Sequence, residues 1–277
     1  MKPAPIEPDA FNAFEAAGWE RRAFGYERFF GSITSRLVGP LLDAASVRAG
    51  TRTLDVATGP GYVAAGAAGR GASVLGVDFA PAMIAVARDL HPRLEFREAD
   101  AQALPFEDAS FDAVVGNFVI LHLGRPEQAA REFVRVLAPE GRLALTAWDL
   151  PDRARFLGVV LDAVAEAGAA PPGDVPAGPD FFRFSVDEEF EALLRGSGLD
   201  DRHVQTIAFT HRVPTPDELW NGLLGGTVRT SALILGQPEE MRHRIRAAFD
   251  RRVGEFQGAD GLELPVSVKL ASGRKPG

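Results

Sequence analysis

Residues 53–64, TLDVATGPGYVA, decide the fold. The stretch begins as a short apolar run typical of a buried strand and ends in small residues typical of the start of a helix. Gly59 and Gly61 permit a tight turn between the two and let a ligand approach the backbone closely. The predicted helix offers free N–H groups to an anionic group. Asp55, at the strand end, adds a carboxylate, so the turn suits a zwitterion better than a pyrophosphate.

The composition is that of an ordinary globular protein, and it excludes several kinds of site. Of 277 residues, 46% are hydrophobic and 25% are charged. The formal net charge of -8 argues against nucleic acid, because binding a phosphate backbone needs a basic face. The chain has no cysteine, which excludes disulfides, thiolate metal sites and a thiol nucleophile. We predict no metal and no nucleic-acid partner.

Neither a signal peptide nor a membrane span is evident in the sequence. The first ten residues, MKPAPIEPDA, lack the apolar core of a signal peptide. No stretch approaches the roughly 20 apolar residues that a membrane span requires. We therefore expect a cytoplasmic protein with no membrane span. The oligomeric state is not predicted by any pattern.

Strand-like and helix-like stretches alternate between residues 52 and 148. Such alternation predicts βαβ units, and hence a parallel sheet with helices on both faces. The strand candidates are 53–57, 73–78, 94–100, 111–119 and 142–148, and the helical stretches are 60–69, 80–90 and 125–138. Pro139-Glu140-Gly141 is expected to end the last of these helices just before a strand.

Helical patterns also flank this region on both sides. Residues 9–45 are rich in aromatic side chains, and Gly18, Gly25 and Gly31 are expected to break them into short helices. A helical stretch at 215–257, opening with Thr215 as cap, separates two late strand candidates, 203–213 and 262–271. We interpret residues 1–277 as one domain, with a helical cap at 9–45, a binding core at 50–150 and a lid insertion at 215–257. Trp220, Leu223 and Leu224 are lid candidates, although ordinary core packing explains them better than substrate contact.

Polar residues follow the ends of the second and third strands. Asp78 in GVDFAPAM (76–83) can accept hydrogen bonds from two ribose hydroxyls. Phe79 and Met83 can then pack against a purine ring. In EADAQALPF (98–106), Asp100 can accept from an exocyclic amine while the Ala101 N–H donates to a ring nitrogen. A simple turn cap explains Asp100 alone equally well.

The fourth strand end, GNFVILHL (116–123), brings Asn117 and His122 to the same edge. Ligands of open α/β sheets bind at the carboxyl ends of the strands, so all four features are expected to meet in one crevice. Each feature alone is weak evidence, whereas all four in strand order are specific.

Taken in order, DVATGPG, GVDFAPAM, EADAQALPF and FDAVVGNFVILHL resemble the motifs of class I S-adenosylmethionine-dependent methyltransferases. The resemblance is greatest to the small-molecule group that includes ubiquinone- and menaquinone-biosynthesis enzymes. It covers residues 50–150 strongly and the remainder in outline. It implies an α/β fold with a Rossmann-like seven-stranded, mostly parallel sheet in the order 3-2-1-4-5-7-6, with the last strand antiparallel. Residues 203–213 would form strand 6, and residues 262–271 strand 7.

The resemblance also implies the cofactor S-adenosylmethionine and its product S-adenosylhomocysteine. The glycine turn would hold the methionine portion, Asp78 with Phe79 the ribose, and Asp100 with Ala101 the adenine. The residues that it marks for cofactor contact are Tyr26, Asp55, Ala57, Thr58, Gly59, Gly61, Asp78, Phe79, Met83, Asp100, Ala101, Gln102, Asn117 and Phe118. In one departure, the family has glycine where Ala57 stands, which is tolerable if the φ angle there is negative.

The implied reaction is in-line methyl transfer to a small, partly hydrophobic acceptor. The family's Asp/Asn-Pro-Pro-Tyr motif for amide and adenine nitrogens is replaced here by the apolar run 117–120, which argues against such acceptors. An acceptor that must lose a proton needs a base. His122 is the first candidate, followed by His211 and Tyr26, although a role in the pocket wall also explains His122. Whether carbon, oxygen or nitrogen is methylated stays open.

Two other classes of protein remain alternatives. GPGYVA also satisfies the dinucleotide fingerprint, and Asp78 follows Gly61 by 17 residues, which is compatible with an NAD(P)-dependent oxidoreductase. Against it, Asp55 precedes Gly59 by four residues, the Asp100 motif has no counterpart in that class, and no Tyr-x-x-x-Lys pair is evident. The second alternative is an S-adenosylmethionine-binding protein with a non-methylating role, because a binding motif does not fix the chemistry.

Overall fold

The computed structural model describes residues 6–277, and a mixed β-sheet lies at its centre. The strands are β1 (Arg52–Val56), β2 (Ser73–Asp78), β3 (Glu95–Glu98), β4 (Phe111–Gly116), β5 (Leu137–Trp148), β6 (Asp200–Val213), β7 (Gln257–Gly258) and β8 (Gly261–Arg274). Their order is β3-β2-β1-β4-β5-β8-β6, with β7 paired to β8. β8 runs antiparallel to β5 and β6, and β1 to β5 pair in parallel. The predicted order is confirmed, with β8 as strand 7 and β7 as a short addition.

Helices cover both faces of this sheet, as predicted. They are α1 (Pro8–Thr34), α2 (Val38–Ala44), α3 (Tyr62–Gly69), α4 (Pro81–Leu90), α5 (Pro126–Val136), α6 (Arg155–Ala167), α7 (Asp187–Gly196), α8 (Pro216–Gly226), α9 (Arg229–Leu235) and α10 (Glu239–Val253). Strand β4 shows why its residues 113–115 are all apolar. Ala113 and Val115 pack with Leu41 and Val63 in one cluster, and Val114 packs in the other, because successive side chains point to opposite faces.

Helix α1 is continuous over 27 residues, so the predicted breaks at its glycines are wrong. An added Cβ at Gly18 would lie 2.3 Å from Val228 Cγ1, and one at Gly25 would lie 2.3 Å from the Gly225 carbonyl oxygen. Glycine in a helix costs roughly 0.5–1 kcal/mol relative to alanine. That cost is offset here because only a bare backbone lets the neighbouring segments approach so closely. Across residues 6–277, neither α1 nor any other helix has a sustained apolar stretch that could cross a bilayer.

The prediction for Pro139-Glu140-Gly141 is also wrong. Helix α5 ends at Val136, and these three residues lie inside β5. The pairing of β4 with β5 shifts register between Phe111 and Ala113, and Glu140 has a φ of 66°. The tripeptide is therefore a β-bulge, which accommodates extra residues in one strand of a pair.

Candidate functional site

A cleft opens at the carboxyl ends of β1, β2 and β4, beneath α1 and the connection between α8 and α9. Its empty volume is about 1410 Å³ including the open mouth, which is room for a cofactor and a second small molecule. All the predicted cofactor residues except Gly61 line it, as does His122. Gly61 shapes the turn instead, since a Cβ there would lie 2.9 Å from the Phe96 ring.

The turn from β1 into α3 uses three left-handed residues. The φ angles are 53° at Ala57, 52° at Gly59 and 84° at Gly61. The condition under which alanine is tolerable, a negative φ at Ala57, is therefore not met, and the alanine is strained because left-handed backbone disfavours a Cβ. Two hydrogen bonds tie the turn to the end of β2: Thr58 N–H donates to the Val77 carbonyl (2.9 Å), and Gly59 N–H donates to an Asp78 carboxylate oxygen (3.0 Å).

Asp55 presents an unpaired carboxylate oxygen in the cleft wall. The residue is 1% exposed. Its Oδ2 accepts from Thr58 Oγ1 at 2.6 Å and from Ala64 N–H at 3.0 Å. Its Oδ1 is buried and has no hydrogen-bond partner within residues 6–277. Burial raises the pKa of Asp55 to about 7. Because a buried acceptor without a partner is costly, this oxygen fits the ammonium group of a ligand.

Asp78 orders two backbone segments and keeps acceptor capacity for a ligand. Oδ2 takes the Gly59 N–H and Oδ1 takes the Ala80 N–H, both at 3.0 Å. Burial raises the pKa of Asp78 to about 6. Each carboxylate oxygen has two acceptor sites, so ribose hydroxyls can still donate to it. Phe79 and Met83 line the cleft beside it.

Asp100 does cap a turn, since its Oδ1 accepts from Gln102 N–H at 2.8 Å. The side chain is nevertheless exposed and borders the cleft, so it can also accept from a ligand amine. Gln102 is committed to the protein. Its Oε1 accepts from Asn12 Nδ2 at 3.3 Å and from Arg125 N–H at 3.1 Å, which joins α1 to this loop.

Asn117 and Phe118 are held by β5 and α1. Thr146 Oγ1 donates to Asn117 Oδ1 at 2.7 Å and accepts from Phe118 N–H at 2.9 Å. Asn117 Nδ2 donates to the Thr34 carbonyl at 3.1 Å. Phe118 has a φ of 64° and stacks on Trp148 with ring centroids 3.8 Å apart. Together these contacts fix the shape of the fourth strand end.

Of the three candidate bases, His122 has the best placement. It lines the cleft, is 20% exposed in its side chain, and has Nδ1 2.9 Å from Glu15 Oε2. His211 lies on β6 and is not among the residues that line the cleft. Burial raises the pKa of Tyr26 to about 12, so its phenolate is scarce at neutral pH. The predicted roles of His211 and Tyr26 as bases are therefore not supported by their surroundings.

The α8–α9 connection lies within the predicted lid insertion 215–257, but sequence patterns did not single out residues 226–230, which line the cleft. The predicted lid residue Trp220 packs instead on Phe249, with ring centroids 5.0 Å apart, and Leu223 is fully buried. Glu15 was also missed. The available signal was an acid four residues before Trp19 on an aromatic helix face.

The strand order and the position of the cleft define a class I S-adenosylmethionine-dependent methyltransferase fold. Residues 54–145 match the family described as "Methyltransferase domain".

Relatives of the chain include methyltransferases of known name. It is 43% identical over 121 residues to a demethylmenaquinone methyltransferase of Thermus thermophilus, covering 42% of this chain and 55% of the relative. It is 28% identical over 190 residues to the protein of that name from Paenarthrobacter aurescens, covering 64% and 75%. The chain spans about half the length of several curated relatives that it matches.

Solved structures share the fold at low identity. YcgJ from Bacillus subtilis has a TM-score of 0.58 at 20% identity, covering 87% of this chain and 99% of that one. The [4+2]-cyclase SpnF has a TM-score of 0.56 at 19% identity, covering 99% of each chain. At such identities the likeness shows the fold alone.

Proposed function

We propose that the chain transfers a methyl group from S-adenosylmethionine to a small, partly hydrophobic acceptor. The observation that carries this proposal is the order of three acids in one cleft, Asp55 near the end of β1, Asp78 at the end of β2 and Asp100 just after β3. Their surroundings fit the groups of the cofactor: an ammonium at the unpaired Asp55 oxygen, ribose hydroxyls at Asp78 and an exocyclic amine at Asp100. S-adenosylmethionine supplies, when bound, a methyl group activated by its sulfonium charge.

The chain's own contribution is alignment and exclusion of water. An in-line displacement on an activated donor needs the two reactants held close in one geometry. Aromatic side chains of α1 and of the fourth and fifth strand ends line the cleft, and these are Trp19, Tyr26, Phe30, Phe118 and Trp148. His122, at the same cleft, takes a proton when the acceptor has one to lose.

The acceptor is proposed to carry an apolar ring. Leu123, Leu157 and Phe181 add further apolar surface to the cleft. The relatives' name, demethylmenaquinone methyltransferase, supports an acceptor with such a ring. We also propose that the chain acts in the cytoplasm and without nucleic acid, which its lack of cysteine and its net charge of -8 support.

Neither alternative receives support from the relatives. Neither of the two curated relatives described is an oxidoreductase. A bound dinucleotide would also give no role to Asp55 or Asp100. The [4+2]-cyclase SpnF has the same fold, but its likeness to this chain carries no argument about reaction.

Calorimetric titration tests the proposal. We expect S-adenosylhomocysteine to bind the wild type and NADH to give no heat. Asp78→Ala should lower the affinity for S-adenosylhomocysteine by roughly tenfold to hundredfold, because the ligand loses hydrogen bonds to a charged group. Asp112→Ala is the matched control, since Asp112 also accepts a backbone N–H, from Arg52 (2.9 Å), but lies outside the cleft. Tight NADH binding with no response to S-adenosylhomocysteine would overturn the proposal.

A further inference from the structure

Four side chains from distant parts of the chain meet at the cleft, and we call them the Glu15 cluster. Glu15 and Trp19 come from α1, His122 from the turn after β4, and Arg229 from the start of α9. Glu15 is fully buried, whereas the other three line the cleft. A fully buried acid must be paired, and here each of its partners touches the candidate site.

Every oxygen of Glu15 is engaged. Oε2 accepts from Trp19 Nε1 at 3.1 Å and lies 2.9 Å from His122 Nδ1. Oε1 accepts from Arg229 Nε at 3.1 Å. Burial works to raise the pKa of Glu15, but His122 and Arg229 outweigh it and hold that pKa below its ordinary value. Glu15 is therefore a carboxylate at neutral pH.

An ionised carboxylate can only accept hydrogen bonds. The hydrogen between Glu15 and His122 must therefore sit on Nδ1, which leaves the lone pair of a neutral imidazole on Nε2. No hydrogen bond engages Nε2 in the part of the chain that the structure describes. Trp19 and Phe181 meet the ring edge to face, with centroids 5.0 and 5.8 Å away. Both the tautomer and the ring orientation of His122 are thus fixed by neighbours.

Arg229 completes the arrangement from the other side. Besides Glu15, it donates to the Leu121 carbonyl at 3.3 Å and to the Pro179 carbonyl at 3.0 Å. Its guanidinium lies 4.3 Å from the centroid of the Phe11 ring. These contacts hold the turn that carries His122 against α1 and α9. Its guanidinium faces the second oxygen of Glu15, so the carboxylate has a cationic partner besides His122.

We propose that Glu15 is the positioning residue for His122 and that the acceptor carries an ionisable hydroxyl. This inference rests on the proposed function. The acceptor proton passes from oxygen to His122 Nε2, and the freed electron pair forms the new oxygen–carbon bond. The carbon–sulfur bond of the donor breaks, and its electron pair stays on sulfur. An amine acceptor that is already neutral would not require this machinery.

Nitrogen NMR of the ligand-free protein tests the positioning role directly. With uniformly ¹⁵N-labelled full-length chain, we expect His122 in the wild type to carry its hydrogen on Nδ1 only. Glu15→Ala removes the acceptor, so both tautomers should appear. Glu166→Ala is the control, because Glu166 of α6 also accepts hydrogen bonds from arginines, namely Arg251 and Arg252 of α10. This pairing lies away from the Glu15 cluster, so the variant should leave the His122 signals unchanged.

A wild-type spectrum with the hydrogen on Nε2 would overturn the proposal, and so would an unchanged tautomer in a folded Glu15→Ala protein. The wild-type spectrum decides alone if that variant fails to fold.

Kinetics with S-adenosylmethionine and 1,4-dihydroxynaphthalene as acceptor probe test the chemical role. Glu15→Gln should lower kcat by roughly tenfold to hundredfold, which is no more than the lower end of what a general base contributes, because Glu15 acts through His122. The KM for S-adenosylmethionine should be unchanged. In a His122→Ala background it should cause no further loss, because the two residues act as one unit. A purely structural role would instead give independent losses in both backgrounds, which contradicts the proposal.

The two inferences can fail separately. Lack of S-adenosylhomocysteine binding would remove the proposed function, whereas the NMR result would still stand or fall by itself. Binding without any methylation of the probe by the wild type would overturn the hydroxyl-bearing acceptor.

Discussion

At the scale of single residues, the cleft contains backbone that side chains rarely tolerate. Ala57 and Phe118 both have positive φ angles, of 53° and 64°. Phe118 is compensated by its stack on Trp148 and by its bond to Thr146. The side chain of Ala57 is a single methyl group, which can make few compensating contacts, and it is partly buried. Its strain is therefore the less well compensated of the two.

We predict that Ala57→Gly stabilises the protein. A left-handed conformation costs a non-glycine residue roughly 1–2 kcal/mol, and glycine's extra unfolded-state entropy returns roughly 0.4–1 kcal/mol of that. The free energy of unfolding, measured by urea denaturation, should therefore rise by about 0.5–1 kcal/mol. Ala109→Gly, at a φ of 58° in a turn, should behave alike. Ala64→Gly, inside helix α3, should lower stability. A loss of stability in Ala57→Gly would contradict the prediction.

At the scale of elements, α1 and α8 cross at a close contact that the sequence alone does not predict. Glycines Gly25 and Gly225 face each other there, and a Cβ at Gly25 would meet backbone that cannot move aside. Gly222 and Gly226 of α8 receive the rings of Phe29 and Phe30 in the same way. Residues that read as helix breakers along the chain are thus contact surfaces between helices.

Gly25→Ala should therefore destabilise the fold, although alanine is the better helix former. Overpacking costs roughly 1–3 kcal/mol, which exceeds the gain of about 1 kcal/mol in helix propensity. Gly39→Ala in α2 is the matched control, because its added Cβ meets nothing within 4 Å and should be neutral or stabilising. Thermal and urea unfolding of the two variants measure whether Gly25→Ala lowers stability while Gly39→Ala does not. Equal gains in both would show that α1 and α8 do not pack this closely.

At the scale of the whole molecule, the cleft is closed by segments from opposite ends of the chain. Residues of α1 and residues 226–230 line it together, and Arg22 of α1 donates to the Leu224 carbonyl at 2.5 Å. We propose that these segments form a cap and a lid over the ligand. Their mutual contacts join the halves of the chain without requiring a second domain.

Hydrogen exchange measured by mass spectrometry tests the cap and lid. Saturating S-adenosylhomocysteine should slow exchange in the glycine turn, in α1 and at residues 226–230, because a ligand that binds only the folded state suppresses local opening. The outward-facing first turn of α10, with exposed Glu239 and Glu240, is the internal control. Slower exchange in the turn with no change at 226–230 would mean that the α8–α9 connection is not a lid.

The sequence by itself determined the sheet and the acids at its strand ends. Apolar periodicity, turn glycines and helix starts are local signals, and they predict the strands and their parallel βαβ pairing. The order of all seven strands followed from the family resemblance of the four motifs. Asp55, Asp78 and Asp100 could be placed because each lies at the carboxyl end of its own strand. The backbone angle at Ala57 could not, since the residue type argues against the conformation that it adopts.

Only the tertiary structure decided what closes the cleft. Glu15 meets His122 across 107 positions and Arg229 across 214, and no periodic pattern records such a meeting. The same holds for Gly18 and Gly25 of α1, whose neighbours are Val228 and Gly225. Local propensity acts within a few residues of the chain, whereas these contacts depend on how whole helices pack at the end of the sheet.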